Sequence, residues 1–229
     1  MKPVKTLIAA NVLAALFTAS SAHAFGLASV LGGGASSSGS ASSGATDNMA
    51  SQDALVKSFV ASEIEVLKAQ ALLERAYGLK DDAAKCDEAA DSIQSTGVDT
   101  DTLEKTVDVS NNANAVIAAQ QSQQVSFSDE EKQYYIQSLP HFAKGIIGTH
   151  DVLSKAATFT SGLKNSGSNV GSLLSLGTSK LKSGLFIAKS APGYSKNLFD
   201  VFQKTVTIGQ KSGVKVPADA TAALSDSDS

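Results

Sequence analysis

Between Asp53 and Tyr77 the chain reads DALVKSFVASEIEVLKAQALLERAY, a stretch without glycine or proline. Its apolar residues Val56, Phe59, Val60, Ile64, Leu67, Ala71, Leu73 and Tyr77 recur at intervals of three and four, the spacing of one face of an α-helix. Ser51 or Asp53 can cap this helix and Gly78 can end it. So long an amphipathic helix has to bury its face against other elements, and that requirement directs the reading of the rest of the chain.

Most of the remaining segments also carry a helical rhythm. Asp81 to Ser95 is rich in Ala and acids, with Ile93 almost alone as a large apolar residue, and predicts a solvated or peripheral helix. Gly97 breaks the pattern, and Asp99 or Asp101 can cap a helix over Thr102 to Val125, although its middle, SNNANA, holds short polar side chains that compete with the backbone. Ser128-Asp129-Glu130-Glu131 forms the S-x-x-E capping box of a further helix, which Pro140 is expected to kink or split. Gly162 to Ser168 reads as a polar joint and SAPGYS, Ser190 to Ser195, as a turn. Tyr194 to Gln210 reads as a last helix ending near Lys211 and Gly213, with TVTI leaving a strand as the weaker alternative. No repeat of fixed period occurs. These patterns predict an all-α fold, a single irregular bundle of about five or six helices over residues 51–213.

The ends read differently. Lys2 and Lys5 precede an apolar run from Leu7 to Phe17, and Ala22-His23-Ala24 supplies an A-x-A site, so residues 1–24 are expected to be a signal peptide cleaved after Ala24. The run is about 11 residues, well short of the roughly 20 that span a bilayer. Residues 25–50 are rich in Gly, Ser and Ala and predict a flexible tether, opened by the short apolar set Phe25, Leu27, Val30 and Leu31. Residues 214–229 are expected to form a disordered acidic tail. Export is therefore predicted, to a bacterial periplasm rather than the extracellular space.

Loss of the signal peptide would remove two lysines and no acid, taking the net charge from −3 to −5. An acidic chain lacks the basic footprint that displaces counterions from a phosphate backbone, which argues against a nucleic-acid partner. Cys86 is the only cysteine. Its acidic surroundings raise a thiol pKa, and predict a structural residue rather than a reactive one; an intermolecular disulfide is the alternative.

Catalytic and metal signatures find no support. His141 and His150 would lie about 180° apart on one helix and cannot share a metal from one face. The pair His150-Asp151 has no G-x-S-x-G elbow to accompany it. Asp81, Asp82, Asp87, Glu88 and Asp91 form a dense acidic run without a calcium loop, which reads as a solvated face. No cofactor and no enzymatic activity are predicted; an enzyme working through an inconspicuous acid pair ranks last.

GSNVGSLLSLGTSKLKSGLFIAK, Gly167 to Lys189, lacks the spacing of a phosphate loop, and its lysines deny it a transmembrane span. On a helical wheel Val170, Leu173, Leu174, Gly177, Leu181, Gly184, Leu185 and Ala188 fall on one side, with Ile187 among them. Glycines within an apolar stripe let a neighbour approach closely. This face is predicted to contact another helix, or to hold an apolar ligand. The leading expectation is a non-enzymatic, exported bundle that binds an unknown envelope protein or an apolar ligand, with self-association compatible. The alternative is a secreted membrane-active or pore-forming protein that uses residues 167–189, for which peripheral membrane contact would suffice.

Overall fold

The computed structural model describes residues 40–95, 98–123, 126–165 and 181–226, all within the compact unit Gly39–Ser229. The expected signal peptide, the first part of the expected tether, and Val170, Leu173, Leu174 and Gly177 lie outside the described residues. Six helices and no strand occur among them: α1 (Ser40–Ala76), α2 (Lys80–Ser95), α3 (Thr100–Gln121), α4 (Asp129–Asn165), α5 (Lys182–Lys211) and α6 (Ala218–Asp226). The protein is an all-α bundle.

Helix ends follow the local chemistry. Gly78 and Gly213, at φ 76° and 72°, take the left-handed conformation that closes α1 and α5. Asp99 accepts the Thr102 N–H at 2.8 Å to start α3. Ser128 and Glu131 make the reciprocal capping box, the Ser128 N–H donating to Glu131 at 2.7 Å and the Glu131 N–H to Ser128 Oγ at 3.3 Å.

Packing sets the directions of the helices. Along α1 and α4, Ser58 meets Asp151, Ser62 meets Gly148, Val66 meets Gly145, and Glu65 pairs with His141 at 2.8 Å, so the two longest helices run antiparallel. α2 turns back along α1, where Arg75 pairs with Asp87. α5 runs parallel to α1, since Gln52 meets Gly184 and Glu63 meets Tyr194. The main core joins Leu55, Phe59, Val66 and Leu73 of α1 to Leu139, Phe142 and Phe159 of α4 and Leu198 and Phe202 of α5. A smaller, alanine-rich cluster of Leu67, Ala71, Ala83, Cys86, Ala89, Ala90 and Ala113 holds α2 and α3 to the far end of α1. α2 is thus peripheral yet anchored, its small residues allowing a close approach.

Several expected boundaries are corrected. α1 begins at Ser40, so residues 40–50 are helical rather than tether. α4 gives this first part a surface to pack on: Asn48 is buried beside Gly162. Such tertiary packing outweighs weak intrinsic propensity. Residues 214–226 of the expected tail fold too, because Val214, Ala220 and Ala223 are buried and α6 lies on α4. Pro140 lies within a continuous α4, and Pro192 within α5 where a turn was expected. Ile187, Ala191, Tyr194 and Leu198 are all buried across that proline. An interior proline costs about 3 kcal/mol, and each large apolar side chain buried offsets about 1.5–3 kcal/mol.

α1 and α4 touch where α4 has no side chains. A Cβ at Gly145 would stand 2.6 Å from Val66 Cγ2 and 3.3 Å from the Val66 amide nitrogen, and one at Gly148 would stand 2.9 Å from Ser62 Cβ. The Ser62 hydroxyl donates to the Gly145 carbonyl at 2.8 Å. Gly145→Val is therefore expected to destabilise the bundle by about 1–3 kcal/mol, lowering Tm by about 2–4 °C per kcal/mol. Val66→Ala should cost less in that background than in the native chain; equal costs would show that the two residues do not compete for space. Thermal unfolding of the four proteins measures both effects.

Candidate functional site

The deepest face of α1 is not purely apolar. On a wheel centred on Glu63, Gln52, Gln70 and Glu74 all fall within about 20°, in the middle of the stripe formed by Val56, Phe59, Leu67 and Tyr77. Gln70 and Glu74 have no exposed surface, and Glu63 keeps 1% of its own. Each therefore needs partners from the helices that cover it.

Glu63 finds them on α5 and α3. The hydroxyl of Tyr194, itself buried, contacts Glu63 Oε2 and lies 2.8 Å from Ser110 Oγ. Ser110 in turn donates to Gln70 Oε1 at 3.1 Å, and Gln70 Nε2 donates at 2.9 Å both to the Ser110 carbonyl and to Asn114 Oδ1. The three contacts from Glu63 through Tyr194 and Ser110 to Gln70 each need a hydrogen, and two hydroxyls supply only two. With Glu63 ionised the Tyr194 hydroxyl donates to its Oε2; a protonated Glu63 supplies the third hydrogen, and every contact in the chain then has a donor. Burial alone pushes the same way: it raises the Glu63 pKa from 4.5 to about 7, against the lowering effect of its hydrogen bonds to Tyr194 and Ser110.

Glu74 lies three turns further along α1. Its Oε2 accepts from the Cys86 thiol at 3.3 Å, while its Oε1 has no partner. Burial again raises its pKa to about 7. Eleven residues of helix separate the two carboxylates by about 16 Å, too far for them to act on one bond as a catalytic acid pair. Cys86 is buried, and its thiol pKa is pushed up by burial and by Glu74, so the thiol is inert and shielded from a second chain.

Two depressions lie against this frame. A cleft of about 240 Å³ between α1, α2 and α3 has Glu74 and Cys86 at its floor. A broader groove of about 560 Å³ runs between α1, the end of α2 and the start of α5. Its apolar lining is Val56, Val60, Ile64, Ile93 and Val98, with Asp53, Lys57, Gln94 and Ser183 beside them.

Of the expected contact face, Leu181, Gly184, Leu185 and Ala188 fall among the described residues. Gly184 and Leu185 are buried, and Leu181 and Ala188 are half-buried. A Cβ at Gly184 would stand 2.8 Å from Gln52 Cγ and 2.9 Å from the Phe159 ring, and its N–H donates to Gln52 Oε1 at 3.2 Å. This part of the face serves helix contact.

The histidines do not converge. His141 is paired with Glu65, and His150 is exposed. Asp151 is occupied by Lys155 and Ser58, which hold its carboxyl below the usual range. Among the described residues no three His, Cys, Asp or Glu side chains stand together as metal donors. In the acidic run, Asp82 and Asp87 are tied to Lys85 and Arg75, while Asp81, Glu88 and Asp91 are exposed.

No protein-family model matches the chain, and neither a curated protein nor a solved structure does.

The buried carboxylates make stability depend on pH. An unfolded glutamate gives up its proton near 4.5, and these two give theirs up near 7 in the fold. Between those values the folded state holds the extra protons, so stability falls as pH rises from about 4.5 to about 7, then levels. Each group contributes on the order of 3 kcal/mol to that fall. Urea unfolding at pH 5 and pH 7.5 should show the native chain less stable at the higher pH, and Glu63→Gln should remove about half of the difference. A Glu63→Gln variant with the full native difference would place Glu63 outside the coupling.

Proposed function

We propose that this is an exported, non-enzymatic helical-bundle protein that works by binding, and that it takes a small apolar ligand in the groove between α1, α2 and α5. The observation that carries this reading is the groove itself. Its volume, about 560 Å³, falls within the range of about 300–1,000 Å³ typical of ligand pockets. Its floor is aliphatic, and its few polar groups, Asp53, Lys57, Gln94 and Ser183, stand where they could orient a polar end. Val56, Val60 and Ile64 are neighbours on one face of the most firmly packed helix, so the surface is held in shape before any ligand arrives, which lowers the ordering cost of binding.

Export rests on the reading of residues 1–24 as a signal peptide, and a bacterial periplasm agrees with that reading. The two interior carboxylates lie about 16 Å apart along α1, too far to act together on one bond, which favours binding over catalysis. The membrane-active alternative is less well supported. It needs residues 167–189 to leave the bundle, whereas Gly184, Leu185 and Ile187 are buried, and no described helix is long and apolar enough to cross a membrane.

Titration with the fluorescent apolar probe 1-N-phenylnaphthylamine tests the proposal. Saturable, one-to-one binding is expected, weakened about tenfold or more by Val60→Glu, a loss of about 1.4 kcal/mol or more. Val60 is half-buried, so this variant should keep its helical circular dichroism. Absence of saturable binding, or binding untouched by Val60→Glu, would contradict the assignment of the groove.

A further inference from the structure

The cleft at the other end of α1 has a different character. Glu74 lies at its floor without exposed surface, and its Oε1 has no hydrogen-bond partner while Oε2 is held by the Cys86 thiol. Native proteins seldom leave a buried polar atom unsatisfied without a use for it. Asp82 of α2 and Asp108 of α3 line the same cleft. Lys85, the one cation lining it, is exposed and bonded to Asp82 at 2.7 Å. Arg75, next to Glu74 in α1, is engaged by Asp87. The groups facing Glu74 from all three helices therefore leave the cleft short of positive charge. Val109 and Ala113 give one wall an aliphatic surface.

From this geometry we infer that the cleft binds a small organic cation, an aliphatic ammonium whose head pairs with Glu74 and whose stem lies on Val109 and Ala113. A volume of about 240 Å³ holds about eight water-sized groups, at roughly 30 Å³ each. That suits a short alkyl ammonium and excludes a polymer. A metal ion is the poorer fit, because no three acid, histidine or cysteine donors converge among the described residues, and the thiol beside Glu74 is held protonated. An ammonium needs only one carboxylate and an apolar bed, and both are present. Since burial keeps Glu74 protonated up to about pH 7, the cation would bind its ionised form. Below that pH binding releases a proton, and affinity rises with pH until the carboxylate is ionised. Lys85 is the internal competitor, because its flexible stem can carry its own ammonium towards Glu74.

Isothermal titration of the full chain with n-butylammonium, and with putrescine as the diamine, tests this site. Saturable, one-to-one heat is expected for both. At pH 6.5 the heat should differ between phosphate and Tris buffers by the amount due to proton release. Glu74→Gln, which preserves shape, should weaken binding at least tenfold, as should Val109→Phe, which fills the cleft from its half-buried rim. Lys85→Met should tighten it. No saturable heat up to about 10 mM, in the native chain and in Lys85→Met alike, would overturn the proposal. So would binding that survives both Glu74→Gln and Val109→Phe.

Discussion

One helix is packed against four others, and the deepest stripe on its surface carries four polar side chains. α1 meets α2, α3, α4 and α5, and Gln52, Glu63, Gln70 and Glu74 lie buried along a single line of it. A buried carboxylate that ionises without a counter-charge is costly. The surrounding helices therefore have to supply either hydrogen-bond partners or a medium in which the acids stay neutral. Tyr194 and Ser110 do the first for Glu63, and burial does the second for both glutamates.

This requirement also fixes register. A slide of α5 along α1 by one turn, about 5.4 Å, would part Gln52 from the Gly184 amide and Tyr194 from Glu63 at once. It would also bring bulk into the place where Gly184 accommodates Gln52 and Phe159. On the opposite side, the contact of Gly145 and Gly148 with Val66 and Ser62 sets the depth of α4. Apolar packing supplies the mass of the core, while these polar and close-backbone contacts select one alignment among several that apolar packing alone would tolerate.

Much of this was legible in the sequence. The caps at Asp99 and Ser128, the stops at Gly78 and Gly213, the helical class and the contact role of Gly184 follow from local chemistry, and the structure has each of them. Boundaries that depend on distant partners were not legible. Residues 40–50 have the composition of a linker, yet they continue α1, with Asn48 buried beside Gly162 of α4. Pro192 reads as a turn until the burial of residues on both sides of it is known. Glu63, Gln70 and Glu74 did leave a signal: they occupy the centre of an apolar stripe, where solvated residues do not belong. Attention to apolar spacing alone passes over them, and their partners on α3 and α5 are set by tertiary packing that no local pattern encodes. The groove and the cleft are likewise products of three helices meeting.

The apolar groove and the acid-floored cleft lie at separate places along α1, whose buried Glu63 and Glu74 stay neutral up to about pH 7. That neutrality can be observed directly, by following the side-chain carboxyl carbons of Glu63 and Glu74 by NMR across pH 4 to 8 in the native protein, with each resonance assigned from its Gln variant. Midpoints near pH 7 for both, well above those of the exposed glutamates, are the result this account predicts. Midpoints near 4.5 would mean that the interior accepts two charged carboxylates, and would contradict it.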